Sequence, residues 1–190
     1  MALGLQEVRF IPAGRPPHRP EPSVSSAQRL EMVRLAISGN PQFVLDEREI
    51  RKEAPCYTVD TLNELRQEIG HAQPLCLLMG ADQFLGLTTW HNWQALFGLA
   101  HIVVAHRPGF PQLSLSENMP DALRREVKQR QKADRQFLRD TPNGIILTQA
   151  ITPLDISATY IRQSLETGLS PRYLLPDAVL DYIQTHGLYI

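Results

Sequence analysis

Between Ile156 and Leu165 the chain reads ISATYIRQSL, setting a serine, a threonine and an arginine at S-x-T-x-x-R spacing where a loop turns into a helix. Ser157 is placed to cap that helix, and Gly168 to end it. A capping box would want Glu or Gln at position 160, where Tyr160 stands instead. Capping thus accounts for Ser157 and leaves Thr159 and Arg162 without a task. Thr159 falls in the first turn, where unpaired N–H groups and the positive end of the helix dipole attract an anion. Arg162 follows one turn later, with a planar fork that matches phosphate oxygens. A phosphate site is the economical reading, although so short a pattern also fits an ordinary capped helix.

Ligands of an open parallel sheet gather beyond the carboxyl ends of its strands, so other chemistry is sought where apolar runs stop. LCLLM runs into Gly80, Ala81 and Asp82: the glycine permits close approach of a ligand, and the carboxylate can hold ribose hydroxyls or simply cap a helix. In TTWHNW, Trp90 and Trp93 share a face if the segment is helical, which puts at least one in the core, while Trp90 at a turn could stack on a flat ring. HIVVA delivers His106 and Arg107, another cation at a strand end. EVRFIP feeds residues 12–22, whose five prolines make a stiff loop carrying Arg15, His18 and Arg19, or else a plain rigid connector.

These groups need a scaffold, and the hydrophobic pattern supplies one. Brief, continuous apolar runs at 7–12, 43–46, 75–79, 101–105 and 144–148 read as strands covered on both faces. Between them lie helical periods: Leu30, Val33 and Ile37 closed by Gly39, then Leu62, Leu65 and Ile69 closed by Gly70 with Thr58 as N-cap. Strand and helix in alternation predict a parallel α/β sheet with right-handed crossovers.

The totals narrow the class further. With 190 residues and 43% hydrophobic side chains, the chain can bury one core, and a single domain over 1–190 is expected. A formal charge of -1 leaves no global pull towards nucleic acid or acidic membranes. Residues 121–140 do carry seven Lys or Arg against four Asp or Glu, a run read first as a solvated helix face, with a nucleic-acid module over 124–139 as the minor alternative. Cys56 and Cys76 form no C-x-x-C pair, which suits a reducing cytoplasm, and no apolar run approaches the roughly 20 residues that span a bilayer. Glycine-rich phosphate loops, H-E-x-x-H and G-x-S-x-G are all absent, and the histidines lack metal-ligand spacing, so a protein-built metal site is not expected. His71, His101 and His186 read as surface or helix-end residues.

Taken together and in order, IPAGRPPHRP, APCYTVDTL, LLMGADQF, TTWHNW, HIVVAHRPG, ISATYIR and LLPDAVLDYIQTHGLY resemble the bacterial nicotinate-nucleotide adenylyltransferases of the nucleotidyltransferase superfamily. The resemblance implies a Rossmann-like, doubly wound parallel sheet and adenylyl transfer from ATP to nicotinate mononucleotide, with Mg2+ arriving on the ATP. By the same resemblance Ser157, Thr159, Arg162, His18 and Arg107 bind the triphosphate, with His18 and Arg162 acting in catalysis, and Gly80 and Asp82 line the nucleotide cleft. Asp82, Thr58, Trp90 and His91 fall on the substrate side, with Thr58 near the nicotinate carboxylate and Trp90 stacked on the pyridine ring. His91 stands where many relatives have Tyr, and Ala13 where they often place Asn.

One departure is large. The family's opening strand with G-G-T-F-D-P and H-x-G-H is absent from these residues. The expectation is an N-terminally incomplete domain whose first strand is missing from mid-sheet, leaving two open strand edges and weak or no activity in the 190-residue form. A catalytically dead remnant serving as a scaffold is the alternative within the same fold.

Overall fold

The computed structural model describes residues 3–14, 23–106, 119–152, 154 and 156–189. The chain forms two compact units, Tyr57–Pro153 and a second built from Met1–Cys56 with Leu154–Ile190.

The unit Tyr57–Pro153 is organised by a parallel sheet. Its strands are β3 (Cys76–Gly80), β4 (His101–His106), β5 (Gln131–Lys132) and β6 (Ile146–Ala150), ordered β3-β4-β6-β5. The strands expected at 75–79, 101–105 and 144–148 are all present, the last shifted two residues along the chain because Gly144 takes φ 91° in the preceding turn. Ile102, Val103 and Val104 of β4 and Ile146 and Leu147 of β6 are buried, as continuous apolar runs in a covered parallel sheet must be. The two-residue β5 closes one edge with polar side chains, a short strand of the kind that resists further pairing. At the other edge β3 pairs only with β4 among the described residues, and its Leu78 is 44% exposed.

Helix α2 (Thr58–Ile69) buries Leu62 and Leu65 as its apolar period predicts, with Val59 buried beside them and Ile69 only half-buried, and stops at Gly70, whose φ of 82° a side chain would resist. Thr58 is not its N-cap: Tyr57 holds that place in extended conformation with no side-chain cap, and Thr58 is the first helical residue. After the one-turn α4 (Leu96–Leu99), the basic run forms α5 (Asp121–Arg130), which buries Leu123 and Val127, and the one-turn α6 (Phe137–Asp140) follows. Arg130 is held by Glu126 at 2.6 Å and lies over the Phe97 ring, the local engagement of a helix face.

In the other unit β1 (Val8–Phe10) pairs in parallel with β2 (Phe43–Leu45), and Phe10 meets Phe43 edge to face at 5.0 Å. The strands therefore fall into two parallel sheets, one in each unit. Helix α1 (Ser26–Ile37) opens with a full capping box between Ser25 and Gln28. It packs against α8 (Asp177–Thr185), and with α7 (Ala158–Glu166) these helices enclose Val24, Leu165, Val179, Leu180, Ile183 and Leu188.

Candidate active site

Each unit presents its own share of the predicted residues. In Tyr57–Pro153, β3 ends at Gly80, which caps the short α3 (Ala81–Leu85). Gly80 has φ -76°, open to any residue, and a Cβ built there meets nothing within 4 Å. Neither backbone strain nor packing inside the protein calls for glycine, so the space above this strand end is free for a ligand. Asp82 stands exposed in the first turn of α3; the helix is capped by Gly80, which removes the plain N-cap explanation for this carboxylate.

The Trp90 segment is not one helix, and the prediction that it places a tryptophan in the core fails. Two 3-10 turns, Leu87–Thr89 and Trp93–Ala95, flank an extended Trp90 and a left-handed Asn92 at φ 47°. Both tryptophans are half-buried, and the core positions go to Phe84, Leu87, Leu96 and Phe97. Trp93 meets Phe97 edge to face at 6.1 Å, leaving Trp90 at the turn. His91 is exposed, and its ring lies 4.5 Å from that of Tyr57, tilted by 38°. That contact joins the Trp90 turn to the opening of α2, where Thr58 sits half-buried.

In the other unit, Ser157 caps α7 as expected, its Oγ accepting from the Tyr160 N–H at 3.1 Å. Thr159 is exposed in the first turn. Arg162 donates from Nη2 to Thr159 Oγ1 at 3.4 Å, and its guanidinium meets no carboxylate among the described residues. Cations beside a helix start are of the kind that attract anions. His18 and Arg107 lie outside the described residues.

The cytidylyltransferase-like family model matches residues 1–164. A protein of Dechloromonas aromatica (strain RCB) named "Probable nicotinate-nucleotide adenylyltransferase" is 57% identical over 187 residues, covering 98% of this chain and 85% of its own. Its namesake in Halorhodospira halophila is 50% identical over 188 residues, covering 99% and 84%. The chain belongs to the nicotinate-nucleotide adenylyltransferases of the cytidylyltransferase-like family. Its fold agrees: the solved Plasmodium falciparum nicotinic acid mononucleotide adenylyltransferase complexed with NaAD matches with a TM-score of 0.66 over 97% of this chain and 83% of that one, at 15% identity.

As a member of this nucleotidyltransferase fold, the chain also holds residues that the pattern did not disclose. His101 is not a surface residue. It opens β4 fully buried, with Nδ1 accepting from the Ile145 N–H at 3.1 Å and Nε2 donating to Thr141 O at 2.8 Å, bonds that only the neutral ring can make. Burial pushes its pKa down. Arg66 is buried on α2 and reaches the Leu99, Gly70, Gln73 and Pro142 carbonyls at 2.6, 3.2, 2.6 and 2.7 Å. Near it, burial raises the Cys76 thiol to about 11, which keeps it protonated and inert. Arg29 ties the end of the first loop, donating to Ala13 O at 2.6 Å and Gly14 O at 3.1 Å. Arg66, His101 and Arg29 were not legible as motifs, because each pairs with backbone groups, which every residue has. Tyr57 carried a faint signal, an aromatic ring immediately before a helix start.

Proposed function

We propose that this chain transfers the adenylyl group of ATP to nicotinate mononucleotide, giving deamido-NAD and pyrophosphate in NAD biosynthesis. The observation that carries the reading is the opening turn of α7, where Thr159 is exposed and Arg162 meets no carboxylate among the described residues. Family membership supplies the reaction. A phosphate oxygen of nicotinate mononucleotide forms the new bond to the α-phosphorus while the bond to the β-phosphate oxygen breaks, and the pair of electrons leaves on pyrophosphate. The nucleophile is already an anion at neutral pH, so no general base is required; alignment and charge stabilisation are the whole task.

In this reading Ser157, Thr159 and Arg162 hold the polyphosphate, and His18 and Arg107, which lie outside the described residues, are assigned to the same ligand. Gly80 gives the nucleotide its close approach and Asp82 takes ribose hydroxyls. Thr58 lies near the nicotinate carboxylate, with Trp90 against the pyridine ring and His91 beside it. Mg2+ enters as part of the ATP substrate. We assign the 190 residues to one nucleotidyltransferase domain and place it in the cytoplasm, where cysteines such as Cys56 and Cys76 stay reduced.

Calorimetric titration with Mg–ATP tests the assignment. Arg162→Ala should weaken ATP binding about 10- to 100-fold, the scale of a charge-assisted bidentate contact, with the melting temperature preserved. Equal affinity in both proteins would remove Arg162 from the site. Binding of both substrates without pyrophosphate release would favour the scaffold reading instead.

A further inference from the structure

We infer that the Tyr57–His91 ring pair is a clamp setting the distance between the start of α2 and the Trp90 turn, which makes Tyr57 a positioning residue for the mononucleotide substrate. The inference rests on the function proposed above and deepens it.

A flat aromatic ring seated against Trp90 needs a wall at van der Waals distance, about 3.5–4.0 Å, and a gap even 0.5–1 Å wider forfeits a quarter to a half of that attraction. The same ligand's carboxylate must reach donors in the first turn of α2 within hydrogen-bond range. Both conditions hold together only if the Trp90 turn and the helix start keep a constant separation.

The two sides are not equally secured. At α2 the backbone is tied, since the Tyr57 carbonyl accepts from the Asp60 and Thr61 N–H groups at 3.0 and 3.2 Å. The apolar residues behind it, Val59 and Leu62, are buried. The Trp90 turn hangs between buried Leu87 and Leu96, and its intervening residues 90–92 include an exposed His91 and the left-handed Asn92. Local bonds fix only its ends: Trp90 N–H donates to Leu87 O at 3.0 Å and Ala95 N–H to Asn92 O at 3.0 Å. The ring contact at 4.5 Å is what joins the exposed part of the turn to the helix start. Capping does not explain Tyr57, because it offers the helix no side-chain cap. Nor does core packing, since both rings remain at least partly exposed.

An aromatic ring is the property this role requires, and the phenol hydroxyl is not. Nicotinate mononucleotide binding, followed by titration calorimetry, should therefore weaken about two- to tenfold in Tyr57→Ala, the range an aromatic pair supports. Tyr57→Phe should restore it. Affinity for Mg–ATP should stay within about twofold in both, a split that general loss of structure would not produce. His91→Ala should reproduce the loss, and Tyr57→Ala combined with His91→Ala should cost no more than either alone. Additive losses, or unchanged mononucleotide affinity in Tyr57→Ala, would overturn the clamp while leaving the proposed reaction intact. Should Tyr57→Ala fail to fold, Tyr57→Leu, which keeps apolar bulk without the ring, takes its place with the same expected loss and the same Phe rescue. If the unaltered chain binds Mg–ATP but no nicotinate mononucleotide, the substrate assignment itself falls, and the clamp with it.

Discussion

The two ends of the sheet in Tyr57–Pro153 are built on opposite principles. At the amino ends of the strands, every unusual group is used up by the protein. Arg66 spends its donors on carbonyls before β3, β4 and β6, His101 is bonded through both ring nitrogens, and Gly144 takes φ 91° where an added methyl would stand 3.4 Å from Phe97 O and from the Arg130 guanidinium. At the carboxyl ends Gly80 faces open space, Asp82 is exposed and Trp90 is only half covered. Polar groups that hold a fold together are satisfied inside it, whereas groups meant for a ligand are left wanting partners. On the proposed function, the difference separates stability from ligand binding at the two ends of the same strands.

The largest test of this contrast is Arg66→Met, which leaves buried carbonyls of Leu99, Gln73 and Pro142 without their donor. Chemical denaturation should show a loss on the order of 3–5 kcal/mol, enough to unfold a marginal domain. A loss under about 1 kcal/mol would mean that water replaces the guanidinium and that this end is not closed.

Glycines sharpen the comparison because one stands at each end. Gly144→Ala forces a side chain into φ 91° beside Phe97 O and should cost about 1–3 kcal/mol. Gly80→Ala, with nothing within 4 Å of the new methyl, should change stability by about 0.5 kcal/mol or less and instead reduce ATP affinity. Equal melting temperatures for the two variants would erase the distinction.

His101 adds a pH signature. Its folded pKa lies below the ordinary 6.5, since burial disfavours the charged ring and the Arg66 guanidinium adds to that, outweighing the opposing bond to Thr141 O. The unfolded chain therefore binds a proton that the folded one refuses. The contribution of His101 to stability is full above pH 6.5 and declines as pH falls from there towards the folded value. Denaturation midpoints measured between about pH 7.5 and 5 should fall less steeply in His101→Gln, which keeps one donor and one acceptor without a titrating proton. Identical slopes would show that the ring gains its proton without cost.

Much of the architecture could be read from the chain. Apolar runs such as HIVVA can be covered on both faces only as central strands, and Ser157 could be recognised as a cap because capping uses bonds to residues two or three along. Where local and long-range demands compete, sequence reasoning lost its footing. Trp90 and Trp93 have helical spacing, yet Phe84, Leu87, Leu96 and Phe97 take the buried positions, and the segment breaks into two short turns around Asn92. His101 looks like any polar residue at a strand start, and only the chain brought past it at Thr141 and Ile145 makes it a buried neutral ring.

The alternation of strand and helix, the parallel sense of the strands and the Ser157 cap of α7 were determined by the sequence alone, because each depends on neighbours within about one turn or on a simple hydrophobic period. Tertiary structure alone decided that Tyr57 meets His91, that Arg66 closes one end of the sheet, and that the space over Gly80 stays open. Contacts of that kind join residues far apart in the chain, and no local preference specifies them; they exist only once packing has brought the segments together.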